Sequence, residues 1–243
     1  MKIFYLSRIK IFLIIFLLTT SIFLTWEGMN TFYNQQKTVF TLEPIYHGSP
    51  DRKDIALTFN VDWGEEILPD IIKELSDKKV KATFFVTGRF AEKYPDLVKK
   101  IYTSGFEIGN HGYSHIHPNS SSVEKNKEEI LKTEKILKKL GIKYAKIYAP
   151  PYGECSPNIV KWANDLGYKT IMWTIDTVDW KDKTADEIVQ KVVNGAHNGA
   201  IVLMHPKSST LKALPTIIKE LKEQRFKFKT ISQIIQDTKS QNR

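Results

Sequence analysis

Side chains able to do chemistry recur directly after short apolar segments of this 243-residue sequence. They are Asn60 and Asp62, His111 and His115, Tyr152, Asp179, and His205. If the apolar segments are parallel strands, their carboxyl ends meet at one edge of a sheet. A random scatter would not give this clustering, so the sequence predicts one site at that edge.

The spacing of His111 and His115 is that of two side chains on one face of a helical turn. Two imidazoles and one carboxylate form a three-ligand site with open positions, as in hydrolytic zinc centres. The His-x-x-x-His pattern alone also fits surface or core histidines. Asp62, after a neighbouring segment, favours the metal, and we predict one divalent ion, Zn²⁺ first.

The other positions have structural interpretations as well. A lone His205 after an apolar strand is typical of a core histidine, and Pro-Pro-Tyr-Gly around Tyr152 is typical of a stiff turn. Asp179 and Trp180 fit a capped turn over a core tryptophan. The clustering with the histidine pair favours a catalytic interpretation for all of them.

The elements that would position this chemistry alternate between strand and helix. Strands are predicted at 55–59, 82–86, 106–108, 147–149, 170–174, 200–204 and 226–230. Helices are predicted at 67–78, 91–104, 123–140, 157–166, 184–194 and 211–224. The rhythm predicts an α/β fold with about seven parallel strands, as a closed or nearly closed β/α barrel or an open doubly wound sheet.

Composition limits the partners. About 200 residues beyond the N-terminus suffice for one domain. The net charge of +9 fits anionic surfaces, or only solvated lysine-rich helices, and no basic stripe interleaves with aromatics, so nucleic acid is not expected. Cys155, the only cysteine, cannot form an internal disulfide and does not distinguish compartments.

The N-terminus has the pattern of an export signal. Lys2, Arg8 and Lys10 precede the uncharged, mainly apolar run Ile11–Trp26, without a small-residue cleavage site after it. We expect an uncleaved apolar signal-anchor helix that holds the domain on the extracytoplasmic side of the cell membrane. A cleaved signal peptide and a buried soluble helix are the alternatives. The predicted organisation is 1–28 signal, 29–53 linker, 54–237 domain and 238–243 tail.

Together, the segments TFNVDWG, NHGYSH, APPYG, DTVDW and IVLMH resemble the polysaccharide deacetylase (NodB homology) family. The resemblance covers about residues 50–235, and its variant first segment resembles deacetylase-like proteins of spore-forming bacteria. It implies a distorted β/α barrel. It also implies metal-dependent hydrolysis of N-acetyl or O-acetyl groups on a glycan such as peptidoglycan or a chitin-like oligosaccharide.

The resemblance also implies residue roles. The metal ligands would be Asp62, His111 and His115. Tyr152 would bind the oxyanion through its backbone N–H, Leu203 and Trp180 would line the acetate pocket, His205 would be the general acid, and Asp179 would orient His205.

Two positions depart from the family pattern. The catalytic base, usually Asp, is Asn60, and the Arg that usually supports it is Ala149. A neutral amide cannot accept a proton from water, so either Asp62, Glu65 or Glu66 serves as base, or metal-bound hydroxide attacks unaided, or catalysis is lost. Loss of a general base typically lowers the rate about 10²–10⁴-fold.

Three functions follow as hypotheses. The first is an extracellular glycan deacetylase, favoured by the intact metal ligands and acid. The second is a weakened or inactive relative that binds wall glycan or a partner through the same cleft, favoured by Asn60 and Ala149. The third, a glycosidase, needs two carboxylates about 5–10 Å apart and no metal, and the histidine pair argues against it.

Overall fold

The computed structural model describes residues 8–37 and 42–239. The chain divides into two compact units, 1–41 and 42–243. In the first unit, helix α1 spans Arg8–Lys37, which confirms an N-terminal helix and carries it past residue 28, the predicted end of the signal segment. Within the described ranges, no helix is both long and apolar enough to span a membrane.

The second unit alternates strands and helices, as predicted. Its strands are β1 Asp54–Val61, β2 Ala82–Val86, β3 Glu107–Asn110, β4 Ile147–Tyr148, β5 Lys169–Thr170, β6 Ile175–Asp176, β7 Ala200–Met204 and β8 Lys227–Phe228. Its helices are α2 Leu68–Asp77, α3 Gly88–Lys93, α4 Pro95–Thr103, α5 Val123–Lys139, α6 Pro157–Asp165, α7 Ala185–Gly195, α8 Ser208–Glu223 and α9 Ile231–Lys239.

The strands form one parallel sheet in the order β5-β4-β3-β2-β1-β7-β6, with β8 also pairing with β1. β5 and β6 are the two edge strands, six inter-strand spacings apart. In a flat sheet they would be separated by about 29 Å. The chain from Thr170 to Ile175 reaches at most about 17 Å. The sheet must therefore curl toward closure, which confirms the distorted barrel.

Side chains of β1 alternate between two hydrophobic cores, one on each face of the sheet. Ile55, Leu57 and Phe59 are fully buried in the large core between the sheet and its covering helices. Ala56 belongs to a smaller core that includes Ile231 and Ile234 of α9. Because neighbouring side chains of a strand point to opposite faces, Asn60 lies on the same face as Ala56, at the carboxyl end of the strand.

Three element predictions need correction. The helix predicted at 91–104 is two helices, because Tyr94 precedes Pro95 and leaves helical geometry, as residues before proline commonly do. The strand predicted at 170–174 is instead the two short strands β5 and β6 at opposite sheet edges. Helix α9 was not predicted, and it includes the first residues of the predicted tail, whereas 240–243 lie outside the described residues.

Candidate active site

A cavity of about 360 Å³ lies at the carboxyl ends of the strands. Its lining contains most of the predicted site residues. They are Asn60, Asp62, His111, His115, Tyr152, Trp180, Leu203 and His205, joined by Trp63, Gly153, Trp173 and Asp176. The expectation that residues after strand carboxyl ends lie together (the strand-end rule) is therefore met by eight predicted residues in one cavity. Asp179, the remaining predicted residue, contacts His205.

The acid side of the cavity consists of His205, Asp179 and Thr210. Asp179 is fully buried, and its oxygens accept hydrogen bonds from His205 Nδ1 and the His205 backbone N–H, both at 2.7 Å, and from Thr210 Oγ1 at 2.6 Å. Burial acts to raise the pKa of Asp179, but the bonds from His205 and Thr210 outweigh it and hold that pKa below the ordinary value.

The ionised Asp179 only accepts, so Nδ1 of His205 must carry a hydrogen. This leaves Nε2 as the ring atom able to exchange a proton in the cavity. Trp63 stacks on the His205 ring at a centroid distance of 5.9 Å and 7° between planes, which further limits the ring's orientation.

The two histidines of the predicted metal site lie on a loop after β3, not on the helical turn suggested by their spacing. The Glu129 carboxylate accepts hydrogen bonds from Tyr113 N at 2.9 Å, Ser114 N at 2.6 Å and Ser114 Oγ at 2.7 Å. This buried contact shapes the loop and brings the rings of His111 and His115 to a centroid distance of 4.9 Å.

His111 is held as a neutral ring. Its Nδ1 lies 2.7 Å from the carbonyl oxygen of Ala149, which only accepts, so Nδ1 carries the hydrogen and Nε2 keeps a lone pair. Burial, with the nearby His115, lowers the pKa of His111 to about 3. Burial also lowers the pKa of His115, so both imidazoles have the charge state of metal ligands.

Asp62 has partners that motif matching did not indicate. Its Oδ1 accepts from Thr87 Oγ1 at 2.8 Å and from Arg89 Nε at 2.6 Å, and its Oδ2 pairs with Nη2 of Arg89. Burial acts to raise the pKa of Asp62, but the Arg89 and Thr87 hydrogen bonds hold it below the ordinary value. Arg89 follows the carboxyl end of β2, so the strand-end rule would have found it.

The base position differs from the acid side. Asn60 is buried, and its Oδ1 has no hydrogen-bond partner among the described residues. An unpaired buried acceptor typically costs about 1–3 kcal/mol. Ala149 is also buried and brings no charge. Asn60, Ala149, Asp62 and Arg89 are called the base side below.

Tyr152 lies at the cavity mouth in an unusual backbone conformation, with φ of 58°. Its ring stacks on His117 at 3.7 Å, and His117 Nδ1 lies 2.7 Å from Glu154 Oε1. Non-glycine residues at positive φ concentrate at functional sites. Tyr152, Trp180 and Trp63 are all substantially exposed, which gives the mouth three aromatic surfaces.

The donor chemistry of Asp62, His111 and His115 fits a divalent metal, because one ionised carboxylate joins two neutral imidazoles. Asp62 already has a cationic partner, however, because Arg89 pairs with both of its oxygens. Across 8–37 and 42–239, no three His, Cys, Asp or Glu side chains are grouped as a metal site. The ligand set stays a prediction.

Known proteins are similar to this chain in sequence and in fold. The profile of the polysaccharide deacetylase family matches residues 47–171. A peptidoglycan-N-acetylglucosamine deacetylase of Bacillus cereus is 37% identical over 80% of this chain and 72% of its own. The uncharacterized protein YlxY of Bacillus subtilis is 35% identical over 81% of this chain, which spans only 62% of that relative.

A solved structure adds a second kind of relative. BA3943 of Bacillus anthracis, a pseudoenzyme of the CE4 family, is 41% identical, with a TM-score of 0.77, over 79% of this chain and 68% of its own. A BA3943 mutant with restored enzymatic activity aligns with the same TM-score. The similarity therefore includes both a peptidoglycan deacetylase and a pseudoenzyme.

Proposed function

The chain belongs to the polysaccharide deacetylase family, and we propose that it is a slow hydrolase that removes acetyl groups from an extracellular glycan. The observation that carries the proposal is the complete acid side: His205, oriented by the buried Asp179, lines the same cavity as both predicted histidine ligands. A site kept only for binding would not need an oriented proton donor.

His205 would act as the general acid. When protonated, it carries a hydrogen at Nε2, and the negative charge of Asp179 at Nδ1 stabilises the imidazolium. The proton at Nε2 would pass to the amine nitrogen as the bond from that nitrogen to the acetyl carbon breaks. The departing sugar then leaves as a neutral amine, and Nε2 keeps its lone pair.

Asp62, His111 and His115 would hold one divalent metal. Bound there, a metal such as Zn²⁺ would polarise the acetyl carbonyl and lower the pKa of bound water. The Ala149 carbonyl would keep the His111 ring in the orientation that leaves Nε2 as donor. The backbone N–H of Tyr152 would donate to the oxygen on which negative charge develops.

The proton acceptor is the weak part of this site. The Asn60 amide cannot accept a proton. Glu65 and Glu66, which could replace it as base, do not line the cavity. The carboxylates that do are Asp62, engaged by Arg89, and Asp176, which accepts from Val178 N at 2.8 Å. We therefore propose a rate about 10²–10⁴-fold below that of a site with its base.

For the substrate, we propose an N-acetylated wall glycan of the peptidoglycan type. Support comes from the Bacillus cereus relative and from the aromatic side chains at the cavity mouth, because sugar rings present apolar faces that pack on aromatic rings. Leu203 and Trp180 line the cavity and would form the apolar wall around the acetyl methyl group.

A specific observation favours a second candidate, an inactive domain that binds glycan. The base side carries Asn60 with an unpaired oxygen and Ala149 in place of a charge, and BA3943 is a pseudoenzyme. Asn60 Oδ1 could accept a hydrogen bond from the N–H of an acetamido group, so the cleft would bind its ligand without turnover.

One experiment separates the two candidates. Acetate release from several N-acetylated glycans, peptidoglycan included, is measured with wild type and His205→Ala, together with bound metal and glycan affinity. Slow release that disappears in His205→Ala supports the hydrolase. Glycan binding that is equal in both proteins, with no acetate released during incubations of several days, supports the binding domain.

We further propose that residues 1–28 direct the domain to the outside of the cell, where a wall glycan would be met. Support comes from Lys2, Arg8 and Lys10 before the apolar run. Protease treatment of intact cells should degrade the domain if it stays anchored, and the medium should contain it if the signal is cleaved. A domain that is fully protected inside cells contradicts export.

A further inference from the structure

Arg89 already supplies a cation to the carboxylate of the proposed metal site. Its guanidinium pairs with both oxygens of Asp62 in the two-pronged geometry that suits arginine and carboxylate. Thr87 donates to the same Oδ1 that accepts from Arg89 Nε. Both lone pairs of Oδ1 are therefore in use, and the side chain of Asp62 is only 8% exposed.

The backbone of Arg89 is held by hydrogen bonds to the neighbouring loop, whereas its side chain is half exposed. Arg89 N donates to the Tyr113 carbonyl at 3.0 Å, and Gly88 N donates to the Gly112 carbonyl at 2.9 Å, so this turn is tied to the loop that carries His111 and His115. The Arg89 side chain is 49% exposed. It has room to swing toward solvent without moving the loop.

Two cations would compete at this place. The Arg89 guanidinium is hydrogen-bonded to both oxygens of Asp62, so its positive charge lies directly beside the carboxylate that would bind the ion. A divalent ion bound to Asp62 would face that charge across a short distance in a half-buried site, where Coulomb repulsion is only partly screened.

We propose that Arg89 is a built-in competitor for metal: it neutralises Asp62 in the metal-free protein and must leave the carboxylate before a divalent ion binds. This rests on the proposed metal site. It assigns Arg89 as the residue that sets metal affinity, so that the domain stays folded without metal and takes up the ion weakly.

The test compares Arg89→Gln with wild type by calorimetric titration of Zn²⁺ into the full-length protein, with Co²⁺ absorption as a second readout. Glutamine keeps much of the length of the side chain and removes its charge. The expected result is a Kd at least about tenfold lower in Arg89→Gln, the equivalent of 1.4 kcal/mol. Arg89→Lys, which keeps the charge without the fork, should fall between the two proteins.

Lys93→Gln is the matched control. It removes the same charge from the same short helix at an exposed position whose ammonium lies over the Tyr94 ring, and its Kd should stay within about twofold of wild type. A second readout needs no metal. In EDTA, Arg89→Gln should melt at a lower temperature than wild type, because Asp62 loses its partner, and it should gain more on zinc addition.

If the zinc Kd of Arg89→Gln is equal to or higher than that of wild type, the proposed competition is wrong. If acetate is still released in that case, the proposed function is unaffected. No zinc binding by either protein overturns the metal site and the competition together. Equal tightening in Lys93→Gln and Arg89→Gln reduces the effect to net charge and also overturns it.

Discussion

The acid side and the base side of this cavity differ in how fully their side chains are hydrogen-bonded, although both lie at the carboxyl ends of strands in one sheet. On the acid side, Asp179 is fully buried and accepts three hydrogen bonds. On the base side, Asn60 Oδ1 has no partner in the described part of the chain, and Asp62 is engaged by Arg89. The acid side is complete before any ligand binds, and the base side is not.

The two sides also differ in how far their side chains are tied to the rest of the fold. Asp179 also joins the loop after β6 to the start of α8 through Thr210, so its loss would disturb structure as well as chemistry. Asn60 Oδ1 makes no such hydrogen bond within the described ranges, and the Ala149 side chain packs in the smaller core and has no polar atom. The side chain at position 60 is therefore less tied to the surrounding fold than that of Asp179.

The largest expected effect comes from breaking the acid side. Asp179→Asn should lower any acetate release about 10²–10⁴-fold, because an amide has no negative charge to stabilise the imidazolium and has one acceptor oxygen where the structure uses two. The measurement is the rate of acetate release at saturating glycan, with circular dichroism to show that the variant is folded.

Asp182→Asn is the control for that variant. Asp182 lies three residues later, is 94% exposed and pairs with Lys207 at the surface. Its rate should stay within about twofold of wild type, since exposed ion pairs contribute little. A rate for Asp179→Asn close to that of Asp182→Asn would contradict the role of the acid side.

The second prediction repairs the base side. Asn60→Asp together with Ala149→Arg should raise acetate release about 10–10³-fold, more than the sum of the single changes. The carboxylate alone would stand near Asp62 without a cation of its own, because Arg89 is engaged by Asp62. The arginine alone would be a buried, unpaired charge. The four rates of wild type, both single variants and the double variant form the test.

Adding His205→Ala to the double variant should remove the gain, because the amine would leave without its acid. A measurable wild-type rate that the double variant does not raise places the base elsewhere, and Asp176→Asn is then the next variant. No release in any variant with metal bound favours the glycan-binding domain.

Sequence reasoning performed best where a buried run is apolar to both ends. The predicted bounds of β2 and β7 agree with the structure to the residue. The longer buried strand β1 was predicted three residues too short, because Asp54 and Asn60 interrupt its apolar pattern. The two-residue strands β5 and β6 have no such apolar run, so one longer strand was predicted in their place. Their positions depend on how the sheet curls.

The site shows the same contrast. The motifs and their order along the sequence predicted eight residues that line one cavity in the structure. Spacing alone misassigned the histidine pair to a helical turn, because the loop is shaped by Glu129, a residue on α5 that lies 14 residues beyond His115 and carries no motif. The Arg89–Asp62 pair was missed because Arg89 belongs to no motif, although its position after β2 would have pointed to it.

The third prediction tests whether Glu129 shapes the histidine loop. Glu129→Gln should lower the free energy of unfolding by about 1–3 kcal/mol, because the amide group puts a donor where the structure needs acceptors for Tyr113 N and Ser114 N. Urea denaturation measures it. Glu128→Gln, on the exposed face of the same helix, should change stability by less than about 0.5 kcal/mol. Equal losses in both variants would contradict the role of Glu129.

The smallest expected effect is a pH dependence that belongs to the acid side. The pKa of Asp179 lies below its ordinary value of 3.8, since the hydrogen bonds from His205 and Thr210 favour the ionised form against the effect of burial. A lowered carboxyl pKa stabilises the fold above the unfolded value and loses that contribution as pH falls below it through the folded value. Unfolding free energies of wild type and Asp179→Asn are measured between about pH 5.5 and about pH 2.5, and their difference should change little down to about pH 5. Below that, the difference should shrink, with a slope of at most about 1.4 kcal/mol per pH unit because one proton is involved. A difference that stays constant over the whole range would show that Asp179 is not the tightly bonded anion that distinguishes the acid side from the base side.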